Sequence, residues 1–342
     1  VQYASGVLAE HEYTRTKASL FDICHMGEFI ISGREVVRDL GRVVTHNLET
    51  MQPGKSRYGF ILNPAGGILD DLIIYRLGAE SFMTVVNAAR RVGDLQWLRE
   101  HLPASVKLQD VSDDTAKIDV QGPLACDVLG RVLPGHWRDL GYFSFRSTFF
   151  QDREIMVSRT GYTGELGYEI YLPTSLAQSF WDSCLLGEEA RPAGLGARDT
   201  LRLEMGYPLY GHDLDDEHTP IEAGYEAMLN SKADYIGKDR EHVVRERLTP
   251  LNIPGRRSAR HNDVVATVSG TTAGRVTSGS FAPSLGHCIA LAYISEQFFQ
   301  EEEFIVQTGQ AGLPARRTTL PFYTHGTARI RLEQPLPAIF RQ

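Results

Sequence analysis

Cysteine is scarce in this chain of 342 residues: four in all, Cys24, Cys126, Cys184 and Cys288, far apart and with no Cys-x-x-Cys. That spacing offers neither a zinc knuckle nor a dense disulfide framework, and reduced, buried thiols are expected instead. Long apolar runs are also missing. No stretch approaches the ~20 residues that a bilayer-crossing helix needs, because Gly, Asp or Arg interrupts each one within a turn or two. No membrane role is expected. A basic excess is missing too: 35 Lys and Arg stand against 43 Asp and Glu, a formal net charge of -8. Polyanion binding needs a basic face, so no nucleic acid partner is expected, and small molecules or proteins are the partners to look for. No apolar leader behind basic residues follows Val1, so no signal peptide is read and a cytoplasmic location is expected.

What is present is an ordinary globular composition, 42% hydrophobic and 23% charged, in a chain too long for one core of ~100–200 residues. Strand patterns recur at Gly27 to Ser32, Tyr58 to Leu62, Ile68 to Leu77, Phe82 to Val86, Lys117 to Val120 and Ile155 to Arg159. Helical spacing marks Val36 to Val44, Val92 to His101, Pro123 to Val132, Leu176 to Leu186 and Ala193 to Met205. The first two-thirds therefore read as α+β. After Lys238 a short basic, helix-like stretch is expected to end near Leu248. From about Asn252 to about Leu332 the composition turns to Val, Thr, Ser and Gly with frequent turns, which reads as a small all-β unit. The expected division is a body over 1–240 and a barrel over 250–332. Glu333 to Gln342, with two prolines, read as a frayed end.

Three clusters concentrate the chemistry. In the first, Asn63-Pro-Ala-Gly-Gly67 reverses the chain between two apolar strands, so Tyr58 to Tyr75 reads as a hairpin. Alternation puts Ile68, Asp70, Leu72 and Ile74 on one face of its second strand, and Leu69, Asp71, Ile73 and Tyr75 on the other. An ionised carboxylate among aliphatics costs several kcal/mol unless it is paired, so at least one of the two acids needs a partner. Two readings stay open: an edge strand charged against aggregation, or a site acid. The second cluster is the Gly-punctuated loop Arg159 to Gly167, followed by Glu169 between Tyr168 and Ile170. Its glycines allow close backbone approach to a ligand but form no dinucleotide fingerprint. The third is Gly194 to Gly206, a helix with Arg198 and Arg202 on one face and Gly206 at its C-terminal cap, read as a solvated face or a fork for a carboxylate. His212 to His218 has no metal-ligand spacing and reads as a polar turn, and His25 as a packed residue.

Taken in order, these stretches resemble the aminomethyltransferase family, the T-protein of the glycine cleavage system. The resemblance rests on Ser19-Leu-Phe-Asp-Ile-Cys-His-Met-Gly27, Met51-Gln-Pro-Gly-Lys55, Gly66-Gly-Ile-Leu-Asp-Asp-Leu72, Val85-Val-Asn-Ala-Ala-Arg90, Gln121-Gly-Pro123 and Arg159 through Glu169. It continues through Gly194 to Glu204, Leu209-Tyr-Gly-His-Asp213, Thr219-Pro-Ile-Glu-Ala-Gly224 and Gly274-Arg-Val-Thr-Ser-Gly279. It implies a folate-binding α+β body of two interleaved lobes plus a C-terminal β-barrel, arranged as a cloverleaf around a central channel. The implied activity moves an aminomethyl group from the lipoyl arm of the H-protein to tetrahydrofolate, releasing ammonia, with no metal. Residue by residue it implies Asp71 as the catalytic acid, Glu169 as the pterin-binding acid accepting paired hydrogen bonds, and Arg198 as a folate contact. Asn87 and Tyr58 line the same cavity. The family's usual segment ahead of Val1, with a Phe-Ala-Gly-Trp-like run, is not in this sequence, and Tyr323-Thr-His-Gly326 departs from the usual ending. Two relatives on the same scaffold stay open: a tetrahydrofolate-dependent demethylase, and a non-catalytic folate-binding protein of iron–sulfur assembly. The latter resembles Lys-Gly-Cys-Tyr where this chain has Lys232-Ala-Asp-Tyr235.

Overall fold

A computed structural model describes residues 2–332; the tail expected to fray lies outside them. In chain order the elements are α1 (Val7–Thr16), β1 (Ala18–Asp22), β2 (Gly27–Ser32), α2 (Val36–Leu40), β3 (Ser56–Leu62), β4 (Ile68–Gly78), β5 (Ser81–Val86) and α3 (Arg91–His101). Then come β6 (Lys107–Asp110), β7 (Thr115–Gln121), α4 (Ala125–Val132), β8 (Phe145–Phe150), β9 (Arg153–Ser158), β10 (Gly167–Pro173), α5 (Ala177–Cys184), β11 (Ala190–Pro192) and α6 (Leu195–Glu204). The last strands are β12 (Glu246–Ile253), β13 (Val264–Thr267), β14 (Thr272–Ala282), β15 (His287–Ser295), β16 (Glu303–Thr308) and β17 (Ala311–Arg317). Among the described residues no helix is long and apolar enough to cross a membrane.

Two sheets form the body, and the chain weaves between them. β1 belongs to a six-stranded sheet of order β11-β1-β7-β10-β9-β8, yet the next five strands build a second sheet of order β3-β4-β5-β2-β6 before β7 returns to the first. The lobes are therefore interleaved. β12 to β17 close a barrel of order β12-β15-β14-β13-β16-β17. The hairpin expected at Asn63 to Gly67 joins β3 and β4, its reversal held by Asn63 Oδ1, which accepts from the backbone N–H of Ala65 and Gly67 at 2.8 and 3.0 Å. β4 lies between β3 and β5, which removes the edge-strand reading of its two acids. Leu72 and Ile74 face a core shared with α2 and α3, and Ile73 and Tyr75 face the other sheet; the expected alternation fails at the start of β4, where a register shift against β3 turns Leu69 to the first core and Ile68 to Phe60 and Leu62.

Several local expectations need correction. The stretch after Lys238 is not helical up to Leu248: β12 begins at Glu246, pairs with β15 along its whole length, and buries alternate residues from Thr249 to Ile253. Residues 318–332 do not continue the barrel. They run back over the six-stranded sheet, where Leu332 and Ile330 pack into its core and Arg159 donates to the carbonyls of Ala328 and Ile330 at 3.3 and 2.5 Å. The helix expected to reach Val44 ends at Leu40. Helix α1 carries no apolar stripe to reveal it, because its buried side chains are Glu10, His11, Thr14 and Arg15. Arg15 sits between Glu165 and Glu204, 2.8 Å from each. Three cysteines are buried as expected, but Cys24 is exposed.

The polar turn at His212 to His218 joins body to barrel. His218 stacks on Tyr293 of β15, with ring centroids 3.7 Å apart, and its ring nitrogens lie 2.6 Å from Asp215 and 3.1 Å from Glu246 of β12. Burial acts to lower its pKa, but the hydrogen bonds to the two carboxylates outweigh it and raise the value to about 9. A raised histidine pKa stabilises the fold fully below the unfolded value of about 6.5, and that contribution disappears as pH climbs through the folded value. Thermal stability is expected to decline between about pH 7 and 9. His218→Gln should flatten that decline; a parallel slope in melts of both proteins would show that the loss comes from elsewhere.

Candidate active site

Strand pairing brings β7 and β10 side by side with Glu169 opposite Asp119. Alternation on β7 turns Ala116, Ile118 and Val120 into the apolar core and leaves Lys117, Asp119 and Gln121 on the other face. That second face is also buried. Lys117 Nζ lies 2.8 Å from Glu169 Oε1 and 4.0 Å from Asp119 Oδ1, and Asp119 Oδ2 lies 2.9 Å from Arg198 Nη1 of α6. Two cations and two anions alternate out of water, the arrangement that makes buried charges tolerable. Burial acts to raise the pKa of Glu169, but Lys117 beside it prevails and holds the carboxyl below its usual range. Glu169 Oε2 accepts from Thr160 Oγ1 at 2.5 Å and from Tyr75 OH at 3.1 Å. The carboxylate is thus an ionised acceptor fixed by its neighbours at the wall of the cavity.

The five-stranded sheet supplies the second acid. Asp71 Oδ2 accepts from Tyr58 OH at 2.9 Å, and Asp71 Oδ1 accepts from Asn87 Nδ2 at 2.8 Å. Burial and then the neighbouring Asp70 push its carboxyl up to about 7, against the pull of the Tyr58 and Asn87 hydrogen bonds. The Tyr58 hydroxyl is driven well above its ordinary pKa by burial and by Asp71, so it stays protonated as a donor. Asp71 and Tyr75 share one face of β4 four residues apart, about 13 Å at ~3.3 Å per residue. Since Tyr75 touches Glu169, the strand sets the spacing between the two acids.

These groups line one cavity of about 310 Å³, which holds Asp71, Glu169, Arg198, Asn87 and Tyr58 together. Sequence reasoning missed Lys117 and the aromatic wall of Tyr142, Tyr162, Tyr207 and Tyr225, and it took His25 for a packed residue although His25 also lines the cavity. Tyr162 stacks on Tyr207 at 5.9 Å, with the Arg198 guanidinium 4.8 Å from the Tyr162 ring. Arg198 and Arg202 do not grip a common carboxylate: Arg202 is buried against Asp213 and Asp199. Of the loop glycines, Gly161 reaches the cavity, but Gly161 and Gly167 chiefly make room for Gln121, whose side chain a Cβ at either position would meet at 2.1 Å. Gly206, at φ 69°, ends α6 with the N–H of Tyr207 bonded to the Arg202 carbonyl, which turns Tyr207 and Pro208 to the cavity. Among the described residues no group of three or more His, Cys, Asp or Glu could hold a metal ion.

Known proteins share this arrangement. Residues 1–233 match the GCVT N-terminal domain, and residues 247–324 match the glycine cleavage T-protein C-terminal barrel domain. The aminomethyltransferase of Rubrobacter xylanophilus is 42% identical over 331 residues, covering 94% of this chain and 87% of its own. That of Thermotoga neapolitana is 36% identical over 335 residues, covering 96% and 92%. The crystal structure of glycine cleavage system aminomethyltransferase T from Bartonella henselae superposes with a TM-score of 0.89 at 31% identity, over 96% of this chain and 92% of that one. Two interleaved lobes lining one acid-bearing cavity and a closed C-terminal barrel, in a chain matched in sequence and structure over nearly its whole length, place it in the glycine cleavage T-protein family of aminomethyltransferases.

Proposed function

We propose that this cavity binds tetrahydrofolate and that the aminomethyl carbon reaches it on the lipoyl arm of an H-protein, leaving ammonia and methylene-tetrahydrofolate. The observation that carries the reading is that two acids, each fixed by protein partners, line one cavity: Glu169 beside Lys117 at 2.8 Å, and Asp71 between Tyr58 and Asn87. A fixed carboxylate acceptor, a guanidinium and an aromatic wall suit a flat, N–H-rich heterocycle on an acidic tail. Tetrahydrofolate supplies the amine nucleophile. Glu169 accepts paired hydrogen bonds from the pterin's amino and ring N–H groups, and Arg198 and the tyrosines hold the ligand's length. Asp71, ionised, faces the reacting nitrogen and stabilises the positive charge that develops there; Tyr58 and Asn87 keep it aimed, so little reorganisation is needed as charge moves. The tyrosine wall excludes water, which strengthens that electrostatic contact.

Ammonia release from aminomethylated H-protein, measured with and without tetrahydrofolate, tests the reading. Release that depends on tetrahydrofolate is expected; folate binding without any discharge of the carrier would sink it and favour the demethylase or the non-catalytic relative. Calorimetry after chelator treatment should still give a one-to-one complex with tetrahydrofolate. Glu169→Gln is expected to weaken that complex by about 1–3 kcal/mol, the range for losing a hydrogen bond to a charged group. Unchanged affinity would mean that the pterin lies elsewhere.

A further inference from the structure

Beside Glu169, on the same wall of the cavity, lies an ammonium with donors to spare. Register sets Asp119 opposite Glu169 and Lys117 opposite Tyr171, so the lysine is the diagonal neighbour of the acid on one face of the paired strands. Its side chain is 4% exposed and reaches the cavity, with Nζ 2.8 Å from Glu169 Oε1 and 5.8 Å from the centre of the Tyr171 ring. Asp119 is no second partner of equal weight: its Oδ1 is 4.0 Å from Nζ, beyond hydrogen-bond reach, and its Oδ2 is taken by Arg198. Burial acts to lower the pKa of Lys117, but Glu169 and then Asp119 outweigh it and raise the value, so the group stays charged. An ammonium has three donors and no acceptor, and the Glu169 contact answers one of them.

Glu169 and Lys117 therefore set an acceptor and a donor side by side at the cavity. Thr160 and Tyr75 hold Glu169 through its other oxygen, which fixes the order of the two. The complement is a ring edge on which N–H and C=O are neighbours, as in a cyclic amide. An edge of N–H groups alone would answer the carboxylate and leave the ammonium facing another donor. We propose that Lys117 is a specificity-determining residue: it donates to the ring carbonyl next to the N–H that Glu169 accepts, so the site takes the 2-amino-4-oxo form of a reduced pteridine and rejects the 2,4-diamino form. This role rests on the proposed folate site and adds to it the atom that decides between the two ring types. In the diamino ring an amino group replaces the carbonyl oxygen and the ammonium loses its acceptor. A buried donor left unmatched in this way is what makes hydrogen-bonding sites selective.

Calorimetry of the full chain with tetrahydrofolate and with its 2,4-diamino analogue tests this. The wild type should bind the oxo ligand about tenfold or more tightly than the diamino one, the scale of losing a hydrogen bond to a charged group. Lys117→Met should weaken the oxo ligand by about the same factor and the diamino ligand little, so that the preference collapses. If Lys117 only balances the charge of Glu169, both ligands weaken alike and the preference survives, which overturns the proposal; so does a wild type that does not distinguish the two. Should Lys117→Met not fold, the wild type decides through isotope-edited infrared spectroscopy of tetrahydrofolate ¹³C-labelled at the ring carbonyl. A carbonyl stretch lower in the complex than in water is expected for a charge-assisted bond to an ammonium, and a stretch at or above its value in water overturns the proposal. No heat with tetrahydrofolate would remove the folate site and the role of Lys117 together, whereas binding without preference removes only the latter. If the preference holds and collapses in Lys117→Met while the H-protein keeps its aminomethyl group, the ring edge is read by Lys117 and the transfer is what fails.

Discussion

Asp71→Asn is expected to lower the rate of ammonia release by about 10²-fold or more, the scale of losing one positioned electrostatic partner in a water-poor site. Asparagine keeps the volume and can still accept from Tyr58, so folding and folate affinity should change far less than turnover. The argument rests on the placement of the side chain: it is in the cavity, hydrogen-bonded on both oxygens, and on an interior strand. A charge that merely decorated the surface would contribute under about 1 kcal/mol and leave turnover nearly intact. The wild-type rate should also fall as pH drops below about 7, where Asp71 takes up a proton. A flat profile from pH 8 to pH 5.5 together with a fully active Asp71→Asn would remove this residue from the chemistry.

The largest effect on stability is expected at Asp213. Its Oδ2 accepts from Arg202 Nη1 at 2.7 Å, Ser278 Oγ at 2.8 Å and the Leu209 N–H at 2.9 Å, and its Oδ1 accepts from Thr277 Oγ1 at 2.5 Å. Arg202 comes from α6 in the body; Thr277 and Ser278 come from β14 in the barrel. Asp213→Asn removes the negative charge from beneath a guanidinium that is 2% exposed, and breaking a buried pair by deleting one partner costs about 3–5 kcal/mol. Chemical denaturation should register that loss, while the geometry around Asp71 is untouched. A change below about 1 kcal/mol would mean that Asp199, 2.8 Å from the same guanidinium, or entering water holds the Arg202 charge when the Asp213 carboxylate is gone.

How much of this was legible beforehand differs from residue to residue. The hairpin and the opposite faces of Asp70 and Asp71 follow from local rules, turn chemistry and the two-residue period of a strand, and both appear in the structure. Lys117 was inside a recognised strand yet went unnoticed as a site residue, because Lys117, Asp119 and Gln121 alternate with Ala116, Ile118 and Val120 just as a solvated face would. Only the arrival of Glu169 and Arg198 from distant parts of the chain makes that face an interior one. The alternating signs of Lys117 and Asp119 were the available hint. Helix α1 escaped for a related reason, since its buried face is polar and bonded to Glu165 and Glu204 rather than apolar. Arg198 and Arg202 share a helix face in the sequence, but the packing of α6 between cavity and barrel sends one to the cavity and the other to Asp213.

The return of the chain to its first sheet has a consequence for how the protein is made. β1 lies between β7 and β11, with Leu20 opposite Val120 and Ala18 opposite Ala190. At ~5–20 residues per second on a ribosome, β1 emerges roughly 5–20 s before its first partner. In the other sheet β3, β4 and β5 pair in succession, and β2 finds its partners β5 and β6 before β7 is made. The inserted lobe is therefore expected to acquire hydrogen-exchange protection ahead of β1 in a growing or refolding chain. During that interval Ala18-Ser-Leu-Phe-Asp22 has both edges unpaired, which makes this short segment the natural target for a chaperone and the point at which an interrupted synthesis would begin to aggregate.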